Sequence, residues 1–120
     1  MPEPPTTDVK AELKKLQDSY IEKLPTLGKQ IQTSWQQYQQ TPDKKGLDNL
    51  YRQIHAIAGT SAVLAITGVS DIALRMEQLL CRRCTPDRLN PEEHASLNGS
   101  LEHFFALIEE ERFEVGSIFH

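Results

Sequence analysis

One histidine in the chain stands among residues that would leave its ring accessible. His55 lies in the stretch QIHAIAGTSAVLAITG, residues 53–68, and Gly59 follows it four positions later. Four residues make about one helical turn, so the two positions would be neighbours on one helix face. A glycine inside a helix costs about 1 kcal/mol relative to alanine, but its bare backbone lets another group approach closely. The spacing predicts an imidazole that a bulky group or a partner's surface can reach.

The elements that would position this histidine are helices. Apolar residues recur every three or four positions in four stretches, residues 9–38, 47–65, 69–80 and 97–108, and this period is typical of amphipathic helices. No segment alternates with a period of two. Four such helices joined by short loops predict an all-α protein, an antiparallel four-helix bundle.

Local signals mark where these helices begin and bend. Pro25 falls inside the first apolar stripe, and a proline there removes one backbone hydrogen bond, so we expect a kink or a break near this residue. Asp43 is a candidate N-cap for the second helix. Asn90 as N-cap, Pro91 at the first helical position and Glu93 three residues after the cap form a start signal for the last helix.

His55 is expected at the boundary between core and solvent. At 100° per residue it lies about 110° from the centre of the apolar side of its helix. Tyr51, Arg52, Gly59 and Ala62 lie along the same edge. The bundle can therefore hold the imidazole while the ring stays in reach of solvent.

The length and the net charge of the chain exclude some classes of protein. The chain has 120 residues and a net charge of −4, so we expect a single domain that does not bind nucleic acid through a basic field. We assign residues 1–7 to a flexible N-terminal segment, residues 8–112 to the bundle, and residues 113–120 to a C-terminal tail or the start of a linker. The tail is apolar and either packs back on the domain or is the edge of a longer protein.

The expected environment is the cytoplasm. No apolar run approaches the roughly 20 residues that a membrane span needs, and the N-terminus does not have the basic and apolar regions of a signal peptide. Two cysteines are compatible with a reducing compartment and do not form a disulfide framework. Nothing in the sequence requires a dimer, and we expect a monomer.

The stretch HAIAGTSAVLAITGVSDIALRMEQLL resembles the core of a histidine-containing phosphotransfer (HPt) domain. The residues that match this family's pattern in order are His55, Ile57, Gly59, Thr60, Ser61 and, on the next helix, Met76 and Glu77. The pair Leu24-Pro25 is similar to a leucine-proline pair that is common in the family's first long helix. The resemblance covers roughly residues 9–110.

The resemblance implies a phosphorelay intermediate. His55 would accept a phosphoryl group from the aspartyl phosphate of a response-regulator receiver domain and pass it to another receiver; a hybrid sensor kinase is a further expected partner. The chain would need no cofactor of its own, because the magnesium would belong to the receiver. It would be no enzyme with a kinase or nucleotide-binding site, since the sequence contains no glycine-rich phosphate loop.

Supporting roles follow from the same resemblance. Glu77 on the facing helix would fix the imidazole tautomer, directly or through a water molecule. Many family members have a lysine three residues after the histidine, where this chain has Ala58, so the positive charge must come from elsewhere. Arg52 is our first candidate, and Arg75, Lys44 and Lys45 follow it. The expected receiver-docking residues are Tyr51, Ala56, Ala58 and Ala62.

A second departure concerns the bend after the histidine helix. Many family members have a glycine ten residues after the histidine, where this chain has Ala65. Gly68 follows three residues later. We therefore expect the bend to be displaced along the chain.

Two other interpretations remain open at the level of sequence. Cys81 and Cys84 form a C-x-x-C pair that could bind zinc or cycle as a dithiol. Zinc would need two further ligands, for which His94 and His103 are the candidates, but their spacing does not match a known zinc-site pattern. We expect no metal and two cysteines at a helix end, with both histidines facing solvent. The alternative to phosphotransfer is a helical adaptor that binds a partner and never carries phosphate.

Overall fold

The computed structural model describes residues 6–116, and side chains from residue 9 onward. It contains four helices: α1 (Thr6–Gln40), α2 (Lys44–Val63), α3 (Thr67–Cys81) and α4 (Pro91–Glu109). The prediction of an all-α four-helix bundle is confirmed. Among the described residues the only β-type pairing is a single antiparallel bridge between Ile66 and Val115. The predicted flexible segment, residues 1–7, lies mostly outside the described residues.

Side-chain caps start α2 and α4, as the sequence predicts. The Asp43 carboxylate accepts a hydrogen bond from the Gly46 backbone N–H at 2.7 Å. Asn90 and Glu93 form a reciprocal capping box: each side chain accepts a hydrogen bond from the other residue's backbone N–H, at 2.7 and 2.9 Å. These bonds satisfy N–H groups that have no partner within the helix. They fix where the two helices begin.

Helix α1 runs through Pro25 without a break. Proline removes a single i→i−4 hydrogen bond, and Pro25 is exposed, so its ring does not disturb the core. Residues on both sides of it, Tyr20 and Leu27 among them, pack against the core cluster. Of the two expected outcomes at Pro25, the break does not occur.

The core lies along the predicted apolar stripes, with one exception at the N-terminal end of α1. Fully buried side chains come from all four helices: Leu24, Ile31, Leu47, Leu50, Ile54, Met76, Leu80, Leu97, Leu101 and Phe104. Val9 and Leu16 belong to the predicted stripe but are exposed. Gln17 is buried instead, and its amide donates a hydrogen bond to the Leu64 carbonyl at 2.7 Å. The stripe therefore overestimates how far the core extends toward the start of α1.

The turn between α2 and α3 comprises residues 64–66. Ala65 has a φ of 56°, the left-handed conformation that favours glycine. Helix α2 ends at Val63, so the bend occurs at Ala65 and is not displaced toward Gly68. The expectation of a displaced bend is wrong, because alanine adopts the left-handed conformation here without a glycine.

Residues 113–116, which we call the tail segment, pack back on the start of α3. The Gly68 backbone N–H donates to the Phe113 carbonyl at 2.9 Å and the Thr67 N–H donates to the Glu114 carbonyl at 3.2 Å. These carbonyls act as caps for a helix whose N-cap residue, Ile66, makes no side-chain capping bond. Of the two expectations for the tail, packing against the domain is the one observed for these residues.

Candidate functional site

His55 is held at one ring nitrogen and open at the other. Its Nδ1 lies 2.6 Å from the Glu77 Oε1, which joins α2 to α3. The His55 side chain is 63% exposed, whereas that of Glu77 is 18% exposed. A carboxylate accepts hydrogen bonds and cannot donate them, so Nδ1 carries the proton. In the neutral imidazole Nε2 then has a free lone pair, and no group among the described residues bonds to it.

The ring of Tyr51 stacks on the imidazole. The two rings stack with their centroids 5.7 Å apart and an angle of 18° between their planes. Tyr51 precedes His55 by four residues on α2, so helical spacing alone brings the two rings together. Glu77 and Tyr51 are thus the two residues whose contacts with the ring orient it.

An open groove runs between α1 and α2 beside the histidine. Its volume is about 590 Å³, and we call it the His55 groove. Its lining residues are Leu16, Ser19, Tyr20 and Lys23 from α1 and His55, Ala56, Gly59, Thr60, Val63 and Leu64 from α2. Leu16 and Val63 are 56% and 77% exposed. Exposed apolar residues that line a groove together are typical of an interaction surface.

Gly59 lies in this groove for no reason of internal packing. A Cβ added there would meet no atom within 4 Å, so the glycine does not serve a close helix–helix contact. Gly68 differs, because a Cβ there would lie 2.8 Å from the Phe113 carbonyl oxygen. Gly59 therefore lowers the stability of α2 without improving the packing inside the domain.

The predicted docking residues do not all reach the surface. Ala56 and Ala62 are exposed and Tyr51 is half-buried. Ala58 is only 6% exposed and belongs to the core. Its assignment to the docking surface is therefore wrong, because position 58 lies on the inward side of α2, one residue after the buried Ile57.

The charged residues proposed to replace the family's lysine are spread over the domain. Arg52 is exposed and lines a polar groove with Lys45 near the start of α2. It also lines a groove with Ala56 and Thr60 that adjoins the His55 groove but does not contain His55. Arg75 is exposed on α3. Lys44 is paired with Asp48 at 2.6 Å, and Lys44 is the main cause that holds the pKa of the Asp48 carboxyl below its ordinary value. The sequence analysis missed Lys23, the one cation that lines the His55 groove in the described part of the chain.

The other candidate residues do not form a site. Cys81 and Cys84 are free thiols and both are exposed. No group of three or more metal-ligating side chains occurs between residues 9 and 116. His103 is exposed as expected. His94 does not simply face solvent: it is half-buried, and its ring packs 4.8 Å from that of Trp35.

The site thus combines an accessible histidine on α2 with a carboxylate on α3 that contacts its ring. The family model described as "Hpt domain" matches residues 15–110. The chain therefore belongs to the Hpt domain family, whose members are phosphotransfer modules of phosphorelays. No curated protein and no solved structure was found to match the chain. None of the helices, over their described residues, is both long and apolar enough to cross a lipid bilayer.

Proposed function

We propose that His55 is the residue that carries the phosphoryl group between two response-regulator receiver domains. The Nε2 lone pair attacks the phosphorus of the receiver's aspartyl phosphate. The N–P bond forms as the P–O bond to the aspartate breaks, and the carboxylate leaves with the electron pair. The reverse displacement, with an aspartate of a second receiver as nucleophile, releases the imidazole. The observation that carries this proposal is the 2.6 Å contact between Nδ1 and Glu77 beside an open Nε2.

Glu77 contributes in two ways to this transfer. It keeps the proton on Nδ1, so that the exposed nitrogen is the nucleophile. It also stabilises the positive charge that the ring gains when Nε2 bonds to phosphorus, as a carboxylate beside a catalytic imidazole does in enzymes. The rest of the reaction depends on positioning and on the partner's magnesium.

The His55 groove is the surface on which we place the receiver. Its apolar residues, with Val63 the most exposed, give a receiver an area to bury. Gly59 leaves room for the receiver's backbone one turn from the ring. Ala56 and Ala62 keep the surrounding surface low.

A phosphotransfer assay tests the proposal directly. The chain is incubated with a panel of phosphorylated receiver domains, and wild type is compared with His55→Gln and Glu77→Ala. We expect acid-labile, base-stable label on wild type and none on His55→Gln. Glu77→Ala removes a charge-assisted hydrogen bond worth about 1.4 kcal/mol, so transfer should slow about tenfold.

His103→Gln is the matched control, because His103 is an exposed histidine on α4 without a role in the proposal. It should accept label as wild type does. Label that persists on His55→Gln would overturn the assignment. A receiver that binds wild type and His55→Gln equally, with no label on either, would favour the adaptor alternative.

A further inference from the structure

Ala58 provides no positive charge beside His55, but a lysine on a different helix is a candidate to provide it. Lys23 of α1 lines the His55 groove together with His55 and Gly59. It is exposed, and it makes no ion pair or hydrogen bond with the other described residues. No described carboxylate pairs with Lys23, so its positive charge is available to the groove.

The antiparallel packing of α1 on α2 sets the level of Lys23 along the groove. Asn49 donates a hydrogen bond to the Ser34 hydroxyl at 3.2 Å near one end of the pair. Near the other end, Gln17 donates to the Leu64 carbonyl at 2.7 Å. In this register Lys23 lies level with Gly59, one turn beyond His55.

Tyr20 of α1 also lines the His55 groove, and its neighbours on α2 agree with the same register of the two helices. Burial raises the pKa of its phenol, and the hydroxyls of Ser61 and Thr60 beside it oppose that shift. Lys23 follows Tyr20 by three residues, so it is the next α1 side chain on this face. The missing Cβ of Gly59 leaves the space between Lys23 and the imidazole open.

We infer that the Lys23 ammonium contacts the phosphoryl group on His55 and provides the positive charge that α2 lacks. This inference rests on the proposed function of His55. The transferring phosphoryl group has negative charge spread over three oxygens, and a positioned cation stabilises it. Arg52 is the weaker candidate, because neither of the two grooves that it lines contains His55, whereas Lys23 lines the groove that does.

The test compares Lys23→Gln with Lys29→Gln in the receiver assay. Lys29 is an exposed lysine on the same helix, but it lies in a groove next to Phe105 and Glu109 on the α4 side. Both variants lose one positive charge from α1. We expect Lys23→Gln to lower the maximal transfer rate about fivefold, Lys23→Arg to keep most of it, and Lys29→Gln to equal wild type.

Two further readouts separate a phosphoryl contact from a structural role. The deficit of Lys23→Gln should shrink when the salt is raised from about 0.05 M to about 0.5 M, because salt screens an exposed charge. The receiver concentration that gives half the maximal rate should change little. Equal rates for Lys23→Gln and Lys29→Gln, or a deficit in half-saturation alone, would overturn the inference.

His55→Gln is measured in the same series. Its loss of label together with a normal Lys23→Gln would reject the inference and leave the proposed function intact. Label that persists on His55→Gln would reject both.

Discussion

The proposed chemistry depends on the two sides of one imidazole being different. Nδ1 of His55 faces a carboxylate at 2.6 Å, and Nε2 has no partner among the described residues. A histidine without such a partner would divide its proton between the two nitrogens. In the proposed reaction, the Glu77 contact leaves the exposed nitrogen as the nucleophile before any receiver arrives.

Gly59 offers a test at the scale of a single residue, with Gly99 as its control. Both glycines are exposed inside helices, and a Cβ at either would meet nothing within 4 Å. Replacing either with alanine should therefore raise the free energy of unfolding by about 1 kcal/mol. We expect Gly59→Ala to slow transfer from the receiver severalfold, because the new methyl group enters the docking surface, whereas Gly99→Ala should transfer normally.

Denaturant unfolding and the receiver assay measure the two effects separately. A Gly59→Ala variant that is more stable and transfers at the wild-type rate would show that the receiver does not approach the backbone there.

The sequence alone allows prediction of which site residues lie close together on one helix. His55 and Gly59 are one turn apart, so their proximity follows from helical geometry. The Glu77 contact joins two helices and was expected only through the family resemblance. Lys23 was missed because its place beside Gly59 depends on the register of α1 on α2, and an apolar stripe does not fix that register.

At the scale of elements, the α2–α3 turn contains a residue whose backbone conformation is unfavourable for its type. Ala65 has a left-handed φ of 56°, which costs an alanine about 1 kcal/mol. The cost is tolerated because the turn is tied on both sides: the Ile66 N–H donates to the Ser61 carbonyl at 2.9 Å, and the Gly116 N–H donates to the Ala65 carbonyl at 2.7 Å. Tertiary contacts, which the sequence does not display, override the local preference.

Replacing Ala65 with glycine should therefore stabilise the protein. Glycine relieves the backbone strain but adds entropy to the unfolded chain, so the net gain should be about 0.5 kcal/mol. The matched control is Ala56→Gly, an exposed position in the middle of α2, where the same exchange should cost about 1 kcal/mol. Urea unfolding of both variants measures the difference; equal destabilisation would contradict the strain at Ala65.

The helix starts were easier to predict than the effect of Pro25. Asn90, Pro91 and Glu93 act within one turn, so their effect can be read from adjacent letters of the sequence. Whether a proline breaks a helix depends on how strongly the segments on each side are held. In α1 both segments pack against the core, and the helix continues through Pro25.

At the scale of the whole molecule, the tail segment connects parts of the bundle that are far apart in the sequence. Phe113 is buried, and the carbonyls of Phe113 and Glu114 accept the hydrogen bonds from the start of α3. Gln17 also reaches the Gly116 carbonyl, at 3.4 Å, while it bonds to Leu64. One buried amide thus connects α1, the α2–α3 turn and the tail segment.

The tail segment should contribute to stability without taking part in transfer. Phe113→Ala removes a buried aromatic ring and should lower the free energy of unfolding by about 3 kcal/mol. Val115→Ala, at an exposed position of the same segment, should cost about 0.5 kcal/mol. Denaturant unfolding gives these values, and at a temperature where both variants are folded their transfer rates should equal wild type. A Phe113→Ala variant as stable as Val115→Ala would contradict the packing described here.

The bond between Gln17 and Gly116 also bears on the order of events when the chain folds. Most of the packing joins helices that follow one another in sequence, and such local contacts form with a small loss of chain entropy. The Gln17–Gly116 contact instead spans 99 positions. Closing this loop costs chain entropy, and the cost is smaller once the helices between the two residues have formed and brought them closer together. We therefore expect the helices to assemble early and the tail segment to dock after the main kinetic barrier, so that this contact slows unfolding and leaves the rate of folding almost unchanged.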